Sequence, residues 1–106
     1  MVNLKAIEKE VRTALKRLYG ERVAKILLYG SYARGDFHAE SDVDFLLILN
    51  DESIQIFDEI SKIAPIISCL DLKFNSIISV VPTTIKKMET SNLLFYKKIR
   101  REAIEI

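Results

Sequence analysis

Two aspartates, Asp42 and Asp44, stand one residue apart at the head of the apolar run "DVDFLLIL". If that run is a strand, side chains alternate between faces and both carboxylates point the same way. Two like charges side by side are costly to desolvate unless a cation stands between them. Mg²⁺, which prefers hard oxygen ligands, is the usual remedy. Just upstream lies "YGSYARGD", Tyr29 to Asp36. Gly30 and Gly35 permit backbone angles closed to other residues and let a phosphate approach the main chain. Ser31 supplies a hydroxyl and, if it opens a helix, stands among unpaired backbone N–H donors. Arg34 presents a fork of donors suited to phosphate oxygens. A phosphate cradle beside a magnesium holder describes a nucleoside triphosphate site.

These residues need elements to hold them. Residues 4–19, "LKAIEKEVRTALKRLY", carry apolar side chains at helical spacing and predict an amphipathic helix ending near Gly20. "VAKILLY", 23–29, is short and apolar, stops at Gly30, and reads as a buried strand. "SYARGD" reads as a loop or the first turn of a short helix. The acid pair opens a second strand, 42–49, closed by Asn50 and Asp51. Residues 51–64 alternate apolar and charged positions with helical period, and Pro65 is expected to stop that helix. "LDLKFNSIISVVP", 70–82, reads as a third strand ended by Pro82. The remaining tail is more helical than extended, with Leu93, Leu94, Tyr96 and Ile99 as expected core contacts. Helices and strands that alternate in this way predict an α/β (α+β) fold in which helices cover a small sheet.

Composition narrows the class further. A chain of 106 residues, 49% hydrophobic and 29% charged, is expected to form one globular domain. Its 16 basic and 15 acidic residues give a net charge of +1, unlike the basic excess of a duplex-DNA binder. The lone Cys69 excludes an internal disulfide and a multi-cysteine zinc site within one chain. No run is long enough to cross a bilayer, and no signal-peptide layout is visible, so the expected compartment is the cytoplasm. "RGD", Arg34 to Asp36, lacks the secreted context of an adhesion motif, and no Gly-Lys-Ser/Thr marks a P-loop.

Gly30-Ser31, followed after ten residues by Asp42-x-Asp44, resembles the polymerase β-like nucleotidyltransferase superfamily. The fuller string "GSYARGDFHAESDVDFLLI" is similar to its minimal nucleotidyltransferase (MNT) branch, as is the C-terminal "FYKKIRREAIEI". The resemblance implies a small mixed β-sheet covered by helices, with residues 1–106 forming a single minimal nucleotidyltransferase domain. It implies Mg²⁺ as cofactor and ATP, or another NTP, as substrate. Gly30, Ser31 and Arg34 would hold the triphosphate, and Asp42 and Asp44 would be the catalytic metal ligands. It also implies a HEPN-domain toxin as partner, neutralised in such pairs by transfer of AMP to its tyrosines.

The resemblance also exposes a departure. The superfamily carries a third carboxylate on the following strand, and laying its pattern on "IISVVPTT" puts Ser79 at that position. With Asp71 on the same strand, the eight-residue separation from Ser79 amounts to roughly 26 Å, too far for a substitute. Asn75 fails at about half that span. The expectation is two acids of three, with weakened activation of the acceptor. A phenol, with pKa near 10, needs less help to lose its proton than a sugar hydroxyl, which favours a protein tyrosine over a nucleic-acid end. The alternative is an MNT-fold protein that neutralises a HEPN ribonuclease by binding alone.

Other residues read more plainly. His38 is a solvated loop residue whose pKa range would suit proton transfer, and Cys69 is a small apolar residue opening the third strand. Ser41 orients the strand entry by bonding to backbone. Tyr32 either stacks on a base or anchors the loop. Lys97, Lys98, Arg100 and Arg101 could meet RNA or an acidic partner surface, but the interleaved Glu102 and Glu105 favour a solvated helix face.

Overall fold

The computed structural model describes residues 3–106. The first helix, α1 (Leu4–Tyr19), begins at Asn3, whose side chain accepts from the Ala6 N–H at 3.1 Å. It buries Ile7, Val11, Leu15 and Tyr19 along one stripe. A 3-10 turn, Gly20–Arg22, leads into β1 (Val23–Tyr29). The tight helix α2 (Ser31–Arg34) follows, then β2 (Val43–Leu49), α3 (Ile56–Phe74), β3 (Ile78–Thr84), α4 (Ile85–Thr90), α5 (Leu94–Glu102) and the two-residue β4 (Ile104–Glu105).

The sheet has the order β3-β2-β1-β4. Strand β1 is antiparallel to both β2 and β4, and β2 is parallel to β3, so the sheet is mixed. Alternation along the strands separates two apolar layers. Ile26, Leu28, Val43, Phe45, Leu47 and Leu49 pack with the buried stripes of α1 and α3. On the opposite face Leu27, Leu46 and Ile48 pack with Ile99 of α5. The core is thus a sheet with two helices on one face and the C-terminal helices on the other.

The structure corrects the sequence reading in the middle of the chain. Pro65 does not stop a helix at residue 64; it lies exposed inside α3, which starts at Ile56 and continues to Phe74. A proline inside a helix costs about 3 kcal/mol through its lost N–H and ring clash. Here the apolar stripe continues beyond it through Ile66, Ile67, Leu70 and Phe74, all packed on the core. Leu70 is buried there and the other three partly so, and their combined burial, at about 1.5–3 kcal/mol for a side chain fully removed from water, outweighs that cost. Consequently residues 70–74 are helical rather than extended, and Cys69 is exposed on α3 instead of opening a strand. Asn75, with φ 48° and ψ 47°, turns the chain out of the helix in the left-handed conformation.

Asp71 is therefore not on β3 at all. Its Oδ1 accepts from the Ile78 N–H at 2.8 Å, clamping the end of α3 to the start of β3. Nor does Pro82 end the third strand, which runs on to Thr84 with Pro82 opposite Leu47. Proline is admissible there because β3 is an edge strand, where one N–H of each pair points away from the sheet. In the tail Tyr96 and Ile99 are buried as expected, but Leu93 and Leu94 are each 66% exposed, because α5 turns its Tyr96–Ile99 side inward. Strand β4 escaped the sequence reading.

The end of the sheet away from the acid pair is fastened by charge. Arg22 makes a two-pronged contact with Asp51, Nε and Nη2 each 3.0 Å from a carboxylate oxygen. The buried Glu59 of α3 accepts from Tyr19, Arg22 and Lys62, at 3.4, 3.4 and 3.2 Å respectively. A carboxylate at this depth is tolerable because it is paired and hydrogen-bonded. Burial and the Glu59 charge together push the Tyr19 phenol up to about 12.

Candidate active site

Tyr29, Asp44 and Ser79 lie in one row across three strands. Asp44 is the register partner of Tyr29 on β1 and of Ser79 on β3. By alternation, Asp44 and Ser79 occupy the face that also carries Leu46 and Val81, the face of the second apolar layer. The two acids are near enough for the Asp42 charge to act on Asp44. Asp42 lies exposed just before β2, and Asp44 is half-buried within it.

Gly30 explains how the turn comes so close to Asp44. Its φ of 76° and ψ of −154° fall in a region that essentially only glycine occupies. A Cβ built there would overlap Asp44 Oδ2 and lie 3.3 Å from its Cγ. The main chain at the turn is therefore in contact with the carboxylate. Gly30 then caps α2, accepting from the Ala33 and Arg34 N–H groups at 3.1 Å each. Ser31 does open a helical turn, at the end where backbone N–H groups lack intrahelical partners. Gly35 closes the turn in the left-handed conformation, φ 87° and ψ 5°, with open space around it.

The electrostatics follow from this crowding. Burial, and then the neighbouring Asp42 charge, hold the Asp44 carboxyl above the ordinary carboxylate range, while Arg34 pulls it partly back. Tyr29 is pushed up to about 12, mainly by burial and then by Asp44. A cation at Asp42 and Asp44 would offset the repulsion between the two carboxylates, though not the effect of burial. The donor set is two hard carboxylates, and Mg²⁺ is commonly held by one or two such groups with substrate phosphates and water completing its shell. The residues present fit that ion.

Arg34 is near the acids but has protein partners of its own. Its Nε donates to Asp36 Oδ2 at 3.1 Å and its Nη1 to Glu102 Oε2 at 3.3 Å. The Glu102 contact, and an edge-on packing of Phe95 against Tyr29 with ring centroids 5.5 Å apart, make α5 a wall of the site. Sequence reasoning missed Tyr29, Phe95 and Glu102 as parts of this constellation. The helical spacing of Phe95 and Glu102 was the available signal, since residues seven apart share a helix face.

The loop between cradle and acids is internally bonded. The His38 N–H donates to Ser41 Oγ at 2.9 Å, so Ser41 organises the strand entry as expected. His38 Nδ1 accepts from the Glu40 N–H at 3.2 Å. Tyr32 is buried and stacked beneath Phe37, with centroids 4.4 Å apart and planes 8° from parallel, so it anchors the loop rather than offering a free face. Lys97, Lys98, Arg100 and Arg101 are exposed. Arg100 is nonetheless bonded, its guanidinium donating to the Met88 and Ser91 carbonyls at 2.7 Å each, which clips α5 to the end of α4.

The nucleotidyltransferase domain model matches residues 8–105. Two proteins of Methanocaldococcus jannaschii are similar along most of their length. "Putative protein adenylyltransferase MJ0141" is 33% identical over 103 residues, covering 97% of this chain and 94% of that protein. "Putative protein adenylyltransferase MJ0604" is 38% identical over 91 residues, covering 86% and 77%. Among solved structures, a toxin–antitoxin crystallised with AMP-PNP has a TM-score of 0.63 at 17% identity, covering 92% of this chain and 70% of that one. A mutant of the toxin–antitoxin MntA-HpeT has a TM-score of 0.61 at 16% identity, covering 100% and 72%. These two likenesses show a shared fold. With the family model and both relatives matching along nearly all its length, this chain belongs to the nucleotidyltransferase domain family and is a nucleotidyltransferase of the minimal, MNT type.

Proposed function

We propose that this chain, acting as a single minimal domain, transfers AMP from ATP to a tyrosine of a partner protein, a HEPN-type toxin whose antitoxin it is. The observation that carries the reading is the close approach of the Gly30 turn to the Asp44 carboxylate, which also feels the charge of Asp42. It supports a reading in which that turn receives a polyphosphate and the two acids hold an ion. The names of the two archaeal relatives support protein adenylylation, and the toxin–antitoxin neighbours, one crystallised with AMP-PNP, support the partner class.

In this reading Asp42 and Asp44 hold Mg²⁺, which when bound screens the phosphate charge and polarises the phosphoryl oxygens toward attack. The Gly30–Ser31 turn receives the β- and γ-phosphates through backbone N–H and the Ser31 hydroxyl. Arg34 exchanges a contact with Asp36 or Glu102 for a phosphate oxygen. The half-buried setting of Asp44 excludes part of the surrounding water and strengthens every charge interaction there. The setting proposed for this reaction is the cytoplasm.

A second reading, neutralisation of the toxin by contact alone, is favoured by one observation: Ser79 stands beside Asp44, where the superfamily pattern expects an acid. Incubation with α-³²P-ATP, Mg²⁺ and candidate acceptors separates these. Label on a tyrosine of a co-expressed partner is expected, and preferential label on an RNA 3′ end would overturn the proposal. Cells carrying the partner should lose protection with Asp42→Asn plus Asp44→Asn. Full protection by that folded double variant would establish the contact-only reading instead.

A further inference from the structure

The near-neutral total charge conceals an uneven distribution. Residues 85–106 hold six basic and three acidic residues, while residues 1–84 hold ten and twelve. The acids interleaved in this stretch do not balance the outer face of α5. Glu102 is turned aside to Arg34 at 3.3 Å, and Glu105 lies beyond the helix in β4. Among the described residues, no carboxylate pairs with Lys97, Lys98 or Arg101.

Helical rotation sorts the side chains of α5 onto distinct stripes. Tyr96 and Ile99 face the core. Arg100 reaches the Met88 and Ser91 carbonyls and closes the flank toward α4. Phe95 and Glu102 occupy the opposite flank, against Tyr29 and Arg34 of the candidate site. Leu94, Lys98 and Arg101 follow at i, i+4 and i+7 on the outward stripe, all exposed, with exposed Leu93 just before them. A lone exposed leucine is ordinary. An adjacent pair at the head of an unpaired basic stripe, one flank away from the site, has the composition of a docking surface.

We infer that the acceptor protein docks on this stripe with an acidic helical segment. That segment sets an apolar side chain ahead of carboxylates spread along about 10 Å, the rise from Leu94 to Arg101. The inference rests on the proposed transfer to a partner protein and adds how that partner is recognised. Carboxylates would neutralise Lys98 and Arg101 and steer the encounter, while the leucines supply apolar burial. Nucleic acid is the other polyanion a basic stripe attracts, but it gains nothing from Leu93 and Leu94. Phe95 also packs edge-on against Tyr29 and Tyr96, so its ring is not set out as a platform for bases. A protein lying along the stripe is held beside Tyr29 and Arg34, next to the turn that receives nucleotide in the proposed reaction.

The test titrates the full chain with two short helical peptides, followed by amide chemical shifts. Both carry a leucine stripe; one has glutamate at the flanking positions and the other glutamine, and neither contains tyrosine. The glutamate peptide should bind at least about tenfold more tightly and shift the signals of residues 93–102. Raising the salt from about 0.1 to 1 M, which shortens the Debye length from about 10 to 3 Å, should erase that preference. Lys98→Gln with Arg101→Gln should erase it too, and Leu94→Ser should weaken both peptides. Lys5→Gln with Lys9→Gln, an exposed pair on α1, should change nothing. With the labelled partner as substrate, the Lys98 and Arg101 double variant should raise the KM for that protein at least about tenfold and leave the KM for ATP unchanged. Equal affinity of the two peptides, shifts centred away from α5, or an unchanged KM for the partner overturns the inference. So does tighter binding of single-stranded RNA to the same residues, or a dimer in sedimentation that Leu94→Ser dissolves. The peptides are read without nucleotide or turnover, so a chain that prefers the glutamate peptide yet labels no tyrosine keeps the docking surface and loses the transfer reading.

Discussion

Gly30→Ala is the most informative single substitution in this molecule. At φ 76° and ψ −154°, Gly30 adopts a conformation costing an L-residue about 1–3 kcal/mol. The new Cβ would also overlap Asp44 Oδ2, forcing that carboxylate off its rotamer for about 0.5–1.5 kcal/mol more. The total, about 1.5–4.5 kcal/mol, lowers the melting temperature by roughly 6–22 °C at about 4–5 °C per kcal/mol for a chain of this size. Gly35→Ala provides the comparison, since its φ is 87° but nothing lies within 4 Å of an added Cβ. It should cost only the left-handed backbone term, about 1–2 kcal/mol. A double-mutant cycle isolates the collision. Combined with Asp44→Ala, Gly30→Ala should lose about 0.5–1.5 kcal/mol of its penalty, read from urea unfolding with unchanged m-value. Additivity within about 0.3 kcal/mol, or a Gly30→Ala no worse than Gly35→Ala, would refute the claim that the turn rests on the carboxylate.

Three further outcomes are expected. Asp44→Asn should raise the melting temperature of the metal-free protein at neutral pH while abolishing Mg²⁺–nucleotide binding by calorimetry. The folded-state pKa of Asp44 lies above its ordinary 3.8, so the folded state binds the extra proton and this group's contribution to stability declines as pH rises through that window. Its loss should flatten the decline in a pH series of unfolding curves. Thr83→Val should cost about 1–3 kcal/mol in urea unfolding, because it leaves the buried Tyr96 hydroxyl, 2.6 Å from Thr83 Oγ1, without that partner. The pair Thr83→Val with Tyr96→Phe should cost less. Arg22→Ala should destabilise by about 1–2 kcal/mol, discounted for the exposure of the guanidinium, by freeing Asp51 and weakening the pairing of buried Glu59. Asp51 is held below its ordinary value by Arg22, so its stabilisation is full above pH 3.8 and fades as pH falls through the lowered value. The difference between Arg22→Ala and wild type should therefore shrink in acid.

Helix α1 and strand β1 were legible to the residue because each pattern is uninterrupted and bounded by glycine. The middle of the chain was not. The stretch from Pro65 to Ser79 contains a proline, short apolar runs and few breakers, and periodicity alone does not separate a buried helix from a strand there. What decided it was tertiary: Ile66, Ile67 and Leu70 find the same apolar layer as Ile63, so the helix continues through the proline. At the site, the acid pair and the Gly30–Ser31 turn were readable because a few adjacent residues carry their geometry. The α5 wall was not, since Glu102 reaches Arg34 across 68 positions of chain. Placing Ser79 opposite Asp44 came from the superfamily pattern, while the reasoning about Asp71 failed because that residue sits on a helix.

Pro82 has a consequence for how these molecules behave in a crowd. A sheet margin with a full row of outward amides is a template onto which identical molecules can zip, growing ribbons that precipitate. A ring nitrogen without hydrogen partway along β3 interrupts that row, so a second copy finds no continuous ladder to extend. The margin nearest the two aspartates is thus kept from gluing to itself, and a solution of this protein should stay dispersed at concentrations where an unbroken edge would seed fibres.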